Sequence, residues 1–181
     1  MGQGCARGSS LVKAGLASHL RHPAEEQSEW VLLPPMRPGD TPLRVLADLL
    51  TSTLDEGTAV ATSAQAIEQR IDDWLAAHPS SRLLLIVDQC EELITLCRDD
   101  AVRASFLGLL ANLAGHASGR MRIVLTLRTD FEPQFLDSPL ASDWQDNRFV
   151  VTPLTQAELR EVIENKQPVL SSPCDHNRRS V

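Results

Sequence analysis

Two stretches of this chain are dominated by consecutive apolar residues: RLLLIVD at Arg82–Asp88, a continuous apolar run ending in a carboxylate, and the similar MRIVLTLR at Met121–Arg128, ending in an arginine. Unbroken rather than alternating apolar character suits strands of a parallel sheet that is covered on both faces. WVLLPP (Trp30–Pro35) and RFVVTP (Arg148–Pro153) are shorter versions, and each stops at a proline, which cannot continue a ladder. Strands are therefore predicted near residues 30–34, 82–88, 121–128 and 148–152. Between them the apolar positions recur at three-and-four spacing. Ser9–Leu20 carries Val12, Leu16 and Leu20; Pro42–Leu54 carries Leu43, Leu46, Leu49 and Leu50. Ser63–Ala77 carries Ile67, Ile71, Trp74 and Leu75; Asp99–His116 carries Val102, Phe106, Leu109, Leu110 and Leu113. Thr155-Gln-Ala-Glu158 has the form of a capping box and opens a last short helix through about Glu164. Strands alternating with helices predict an α/β domain with a parallel sheet. From Asn165 to Val181 the periodicity stops and prolines and polar groups take over, the pattern of a flexible tail.

Composition narrows this picture. The chain has 181 residues, 43% of them hydrophobic, and a formal charge of −7. That is enough for one domain with a core, and the acidic balance speaks against a nucleic-acid or anionic-membrane partner. No apolar run reaches the length of a membrane span, and the N-terminus has no apolar core of a secretory signal. Cys5, Cys90, Cys97 and Cys174 show neither metal-site nor disulfide-scaffold spacing. Free thiols in a cytoplasmic protein are the expectation.

Three stretches carry candidate chemistry. GQGCARGSS (Gly2–Ser10) approaches the phosphate-loop pattern G-x-x-x-x-G-K-[ST]. The best register places Gly2 on the first glycine, Arg7 on the second, Gly8 on the lysine and Ser9 on the hydroxyl, with Gly4 and Ser10 alongside. Small residues, a hydroxyl and a helix start remain, while the point charge is lost. From this stretch alone, a glycine- and serine-rich helix start with no ligand is the preferred reading. LLLIVDQCEEL (Leu83–Leu93) ends an apolar strand in Asp88 and follows it with Glu91 and Glu92. Carboxylates at the C-terminal tip of a parallel strand stand where α/β ligands bind. There Asp88 would orient a Mg²⁺-bound water, and Glu91 or Glu92 would polarise an attacking water. Alternatively Asp88 caps the next turn and both glutamates are solvated. In LTLRTDF (Leu125–Phe131), Arg128 ends the neighbouring strand, where it either faces a γ-phosphate or, the preferred reading from this stretch alone, pairs with Asp130 or a neighbouring carboxylate.

Taken in order, SSLVKAGL, WVLLPPMRPGDTPLRVLADLL, LLLIVDQCEELITLCRD, FLGLLANLA, RIVLTLRTDFEPQFLD and RFVVTPLTQAELREVIE resemble the NTPase domain of bacterial STAND-class P-loop ATPases. These are signal-transduction ATPases often joined to WD40 or TPR repeats. The likeness runs from about Gly2 to Glu164. It implies a three-layer, ASCE-type P-loop domain over residues 1–164, with ATP and Mg²⁺ as ligands and residues 165–181 as a tail. It assigns Ser9 to Mg²⁺ through the loop, Asp88 to Mg²⁺ through the Walker B strand, Glu91 or Glu92 to water activation, and Arg128 to a γ-phosphate sensor. Three features depart from the family: the loop lysine is absent, no apolar strand precedes Gly2, and the chain after Glu164 is unlike the family's further helices. A truncated member with its first strand missing is the expectation. Its open sheet edge would invite self-association or another protein partner. The rival reading is a non-catalytic pseudo-NTPase that serves as an interaction module.

Overall fold

The computed structural model describes residues 29–54, 59–115, 119–151 and 156. The phosphate-loop stretch Gly2–Ser10, the predicted helix at Ser9–Leu20 and the tail lie outside them, as does the predicted helix at 155–164 apart from Gln156. The chain divides into a unit through Phe149 and a second from Val150, and only Val150, Val151 and Gln156 of the second are described.

The first unit is an α/β arrangement. Strands β1 (Glu29–Leu32), β2 (Ser81–Val87) and β3 (Met121–Leu125) form a parallel sheet in the order β1-β2-β3. Val31 stands beside Leu83, and Leu85 beside Ile123. Parallel neighbours cannot be joined by a tight turn, so helices make both crossovers. Helices α1 (Pro42–Thr53) and α2 (Ala64–Ala77) lead from β1 to β2. The short α3 (Glu92–Thr95) and the long α4 (Asp100–Ala114) lead from β2 to β3. Beyond β3 come a single 3₁₀ turn (Thr129–Phe131), α5 (Glu132–Leu136) and α6 (Ala141–Asn147).

The helix boundaries follow from local chemistry. Proline opens α1, where its missing N–H costs nothing. The Ser63 side chain accepts a bond from the Ala66 N–H at the start of α2, and Asp99 accepts from the N–H groups of Ala101 and Val102 at the start of α4. The apolar stripes then meet. Leu46 and Leu50 of α1, Ile67, Ile71 and Leu75 of α2, and Phe106, Leu110 and Leu113 of α4 gather with Leu83, Leu85 and Val87 of β2 in one core. Leu84 and Ile86 alternate to the other face of β2 and are also buried, so both faces of this strand are shielded, as its unbroken apolar run requires. Arg120, just before β3, donates to the carbonyls of Leu75 (2.8 Å) and His78 (3.0 Å), which ties the end of α2 to the start of β3.

Two expected strands need correction. The strand at 121–128 stops at Leu125, because the chain turns into the 3₁₀ helix from Thr129 and Arg128 caps it. The strand at 148–152 does not form over the described residues 148–151. Arg148 is instead drawn to Glu132, with Nε 2.6 Å from Oε1 and Nη2 donating to Oε2 at 2.8 Å, and Phe149 is 81% exposed. Glu132 also accepts from the Trp144 indole (3.0 Å), so α5 and α6 close on each other through one carboxylate.

Candidate functional site

The C-terminal edge of a parallel sheet gathers the loops that follow each strand, and here three such segments converge on the tip of β2. After β1 the chain stays beside β2: Met36 N–H donates to the Ile86 carbonyl (2.9 Å), and Asp88 N–H donates to the Met36 carbonyl (2.8 Å). After β3, Thr126 N–H donates to the Val87 carbonyl (2.9 Å), and Cys90 N–H donates to the Thr126 carbonyl (2.8 Å). The segment Asp88–Cys90 is thereby hydrogen-bonded on both flanks.

Asp88 is 1% exposed. A carboxylate so buried requires polar partners. The Thr126 hydroxyl donates to Asp88 Oδ1 at 2.6 Å and accepts from the Gln89 N–H at 3.1 Å. Arg37, from the segment after β1, places Nε 3.9 Å from Asp88 Oδ2, with 57% of its side chain exposed. Gln89 has a φ of 58°, the left-handed region that a residue with a Cβ seldom adopts. That turn bends the chain sharply after Asp88, so that Glu91 and Glu92 enter α3 at the same edge.

Glu91 caps α3, is 8% exposed, and its carbonyl accepts from the N–H groups of Ile94 and Thr95. Glu92 is half-buried, and its Oε2 accepts from the Gly39 N–H at 3.2 Å, which fastens the turn after β1 to the acidic segment. Gly39 itself has a φ of 59°, the reason glycine stands there. Cys90 lies buried among these carboxylates. Burial, followed by the charges of Glu91, Asp88 and Glu92, pushes its thiol far above the ordinary value, so it is neutral and a poor nucleophile.

Of the residues singled out from sequence, Asp88, Glu91 and Glu92 therefore share one edge of the sheet. Arg128 occupies its own turn three residues past β3: its Nε and Nη2 donate to the two oxygens of Asp130 at 3.1 and 2.6 Å, the pairing that sequence offered as one of two options. Gly2, Gly4, Arg7, Gly8, Ser9 and Ser10 lie outside the described residues. Sequence reasoning missed Thr126 and Arg37. The signal for Thr126 was a hydroxyl inside the apolar run expected to neighbour a strand ending in aspartate; for Arg37 there was none beyond its place in a proline- and glycine-bounded loop. Among the described residues no group of three or more histidine, cysteine or acidic side chains forms a metal cluster. No helix among them is long and apolar enough to cross a membrane.

Residues 3–175 match the family model nSTAND1, described as Novel STAND NTPase 1. No curated protein matches the chain.

Proposed function

The chain belongs to the Novel STAND NTPase 1 family, and from that premise we propose that it binds ATP with Mg²⁺ at the C-terminal edge of the sheet, in a P-loop-type domain. The observation that carries this reading is the Asp88 carboxylate, buried at the tip of the central described strand and bonded to Thr126 of its neighbour. Ligands of open α/β sheets bind beside the carboxyl ends of the strands.

The donors present suit Mg²⁺. This ion takes hard oxygen ligands and is commonly held by one or two carboxylates together with substrate phosphates and waters, so a cluster of three acidic side chains is not required. When bound, Mg²⁺ neutralises charge on the β- and γ-phosphates. Asp88, locked by the Thr126 hydroxyl, would orient that ion's water shell. Glu91, more buried than Glu92, is our choice for the group that polarises an attacking water; Glu92 is engaged with Gly39 and holds the adjoining loop. Arg128, paired with Asp130 in this structure, would act as the γ-phosphate sensor by exchanging that partner. On the phosphate-loop pattern, Gly2, Gly4, Arg7, Gly8, Ser9 and Ser10 would form the phosphate-binding stretch, with Ser9 in the position of the Mg²⁺-binding hydroxyl.

One sequence feature speaks against efficient turnover and also weakens binding. Gly8 occupies the position of the phosphate-loop lysine. Loss of one charge-assisted contact weakens ATP binding by roughly ten- to a hundredfold, at ~1.5–3 kcal/mol per contact. A nucleotide-responsive signalling module with little hydrolysis fits that balance. Equilibrium binding of a fluorescent ATP analogue tests the reading: binding should require Mg²⁺ and weaken in Asp88→Ala. Binding that ignores both Mg²⁺ and Asp88 would leave the non-catalytic interaction module as the better account.

A further inference from the structure

The loop between β1 and α1 brings a cation to the acidic tip of β2 and fixes the backbone on both sides of it. Met36 is hydrogen-bonded through its N–H to Ile86 of β2 and through its carbonyl to Asp88 just beyond it, Pro38 is buried, and Gly39 is fastened to Glu92. Arg37 sits between these anchors with most of its side chain in solvent and Nε 3.9 Å from Asp88 Oδ2. The contact is long and involves a single nitrogen. The forked pairs elsewhere differ: Arg128 holds Asp130, and Arg148 holds Glu132, through two nitrogens at 2.6–3.1 Å. Arg37 thus brings a cation to a segment that carries three carboxylates within five residues, Asp88, Glu91 and Glu92.

A buried carboxylate needs a nearby positive charge, yet a loosely held, solvated guanidinium is easily exchanged for a stronger one. A divalent cation supplies twice the charge with no side-chain stem to order. We propose that Arg37 is the resident counter-ion of Asp88, displaced when a divalent cation binds. Arg37 thus sets the threshold at which the site takes up metal. The inference rests on the reading of Asp88 as a ligand of Mg²⁺.

The test uses the nucleotide-free 181-residue chain and Mn²⁺ as the probe, with free Mn²⁺ followed by electron paramagnetic resonance. Wild type is compared with Arg37→Gln, Arg37→Lys and Asp88→Asn, and thermal unfolding is measured in a chelator. Arg37→Gln should bind Mn²⁺ about fivefold tighter than wild type, the ratio that matches a partly exposed ion pair. Arg37→Lys should stay within about twofold of wild type, since lysine keeps the competing charge. In the chelator, Arg37→Gln should lower the melting temperature in the wild-type background but not in the Asp88→Asn background, a coupling that a packing role for the arginine stem would not produce. Asp88-dependent Mn²⁺ binding that is no tighter in Arg37→Gln overturns this inference alone, as does equal destabilisation in both backgrounds. Mn²⁺ binding that ignores Asp88, or none in any variant, overturns this inference, while the nucleotide-site reading of Asp88 falls only if ATP-analogue binding is also unchanged in Asp88→Ala.

Discussion

Thr126→Val isolates the hydroxyl that joins the tips of β2 and β3. Valine keeps the branched shape and volume, so the loss is confined to one oxygen. That oxygen donates to Asp88 at 2.6 Å and accepts from the Gln89 N–H at 3.1 Å. The first bond is charge-assisted and its acceptor is 1% exposed, so water does not replace it; bonds of this kind contribute ~1.5–3 kcal/mol. Leaving the Gln89 N–H without its acceptor adds about 1 kcal/mol. The expected destabilisation is therefore about 3 kcal/mol, which a domain of ordinary stability, ~5–15 kcal/mol, survives as a folded protein. Urea unfolding followed by circular dichroism reads it as a lower midpoint at unchanged slope. Thr126→Ser, which keeps the hydroxyl and loses a methyl group, should cost no more than about 1 kcal/mol. A Thr126→Val protein within about 0.5 kcal/mol of wild type, or a serine variant as unstable as the valine one, would refute the bridging role.

Three further outcomes are expected. Gln89→Gly removes the strain of a positive φ and should raise stability by about 1 kcal/mol in the same urea assay, whereas Gln89→Val should lower it. Phe106→Ala empties the middle of the core and should cost ~3–5 kcal/mol, seen as a large fall in the unfolding midpoint. Cys90 should resist alkylation in the folded protein at pH 8 while reacting freely in denaturant, and it should also make stability fall with alkali. Its folded pKa lies far above the ordinary 9.0, so above about pH 9 the unfolded thiol loses its proton while the folded one keeps it; the unfolded state then binds fewer protons and stability declines as pH rises, an effect that Cys90→Ala removes.

The parts of the fold legible in the sequence were those governed by long patterns. The run at Leu83–Val87 declared a strand buried on both faces, and α1, α2 and α4 follow their three-and-four stripes to within two or three residues. What escaped was short or set by single contacts. Helices of four to seven residues such as α3, α5 and α6 span at most two turns, too few for periodicity to register. Phe149-Val150-Val151 reads as a strand by propensity, but Arg148 is committed to Glu132 and the described residues after it pair with no strand. At the candidate site, Asp88, Glu91 and Glu92 were visible because five consecutive residues need no tertiary knowledge to be brought together. Thr126 and Arg37 arrive from 38 positions later and 51 earlier, and only strand pairing reveals such neighbours. The left-handed turn at Gln89 was hidden for another reason: glycine or asparagine would have announced it, and glutamine does not.

The three amides past the end of β2 have the protection of residues inside the ladder. Asp88 N–H is engaged by Met36, Gln89 N–H by the Thr126 hydroxyl and Cys90 N–H by the Thr126 carbonyl. Their protons should exchange with deuterium only when the sheet itself opens, rather than at the rate of a surface loop. A carboxylate mounted in this way arrives at any encounter already in position. It gives up little freedom on capturing a ligand, and the adjustment falls to the ligand and to the longer side chains around it.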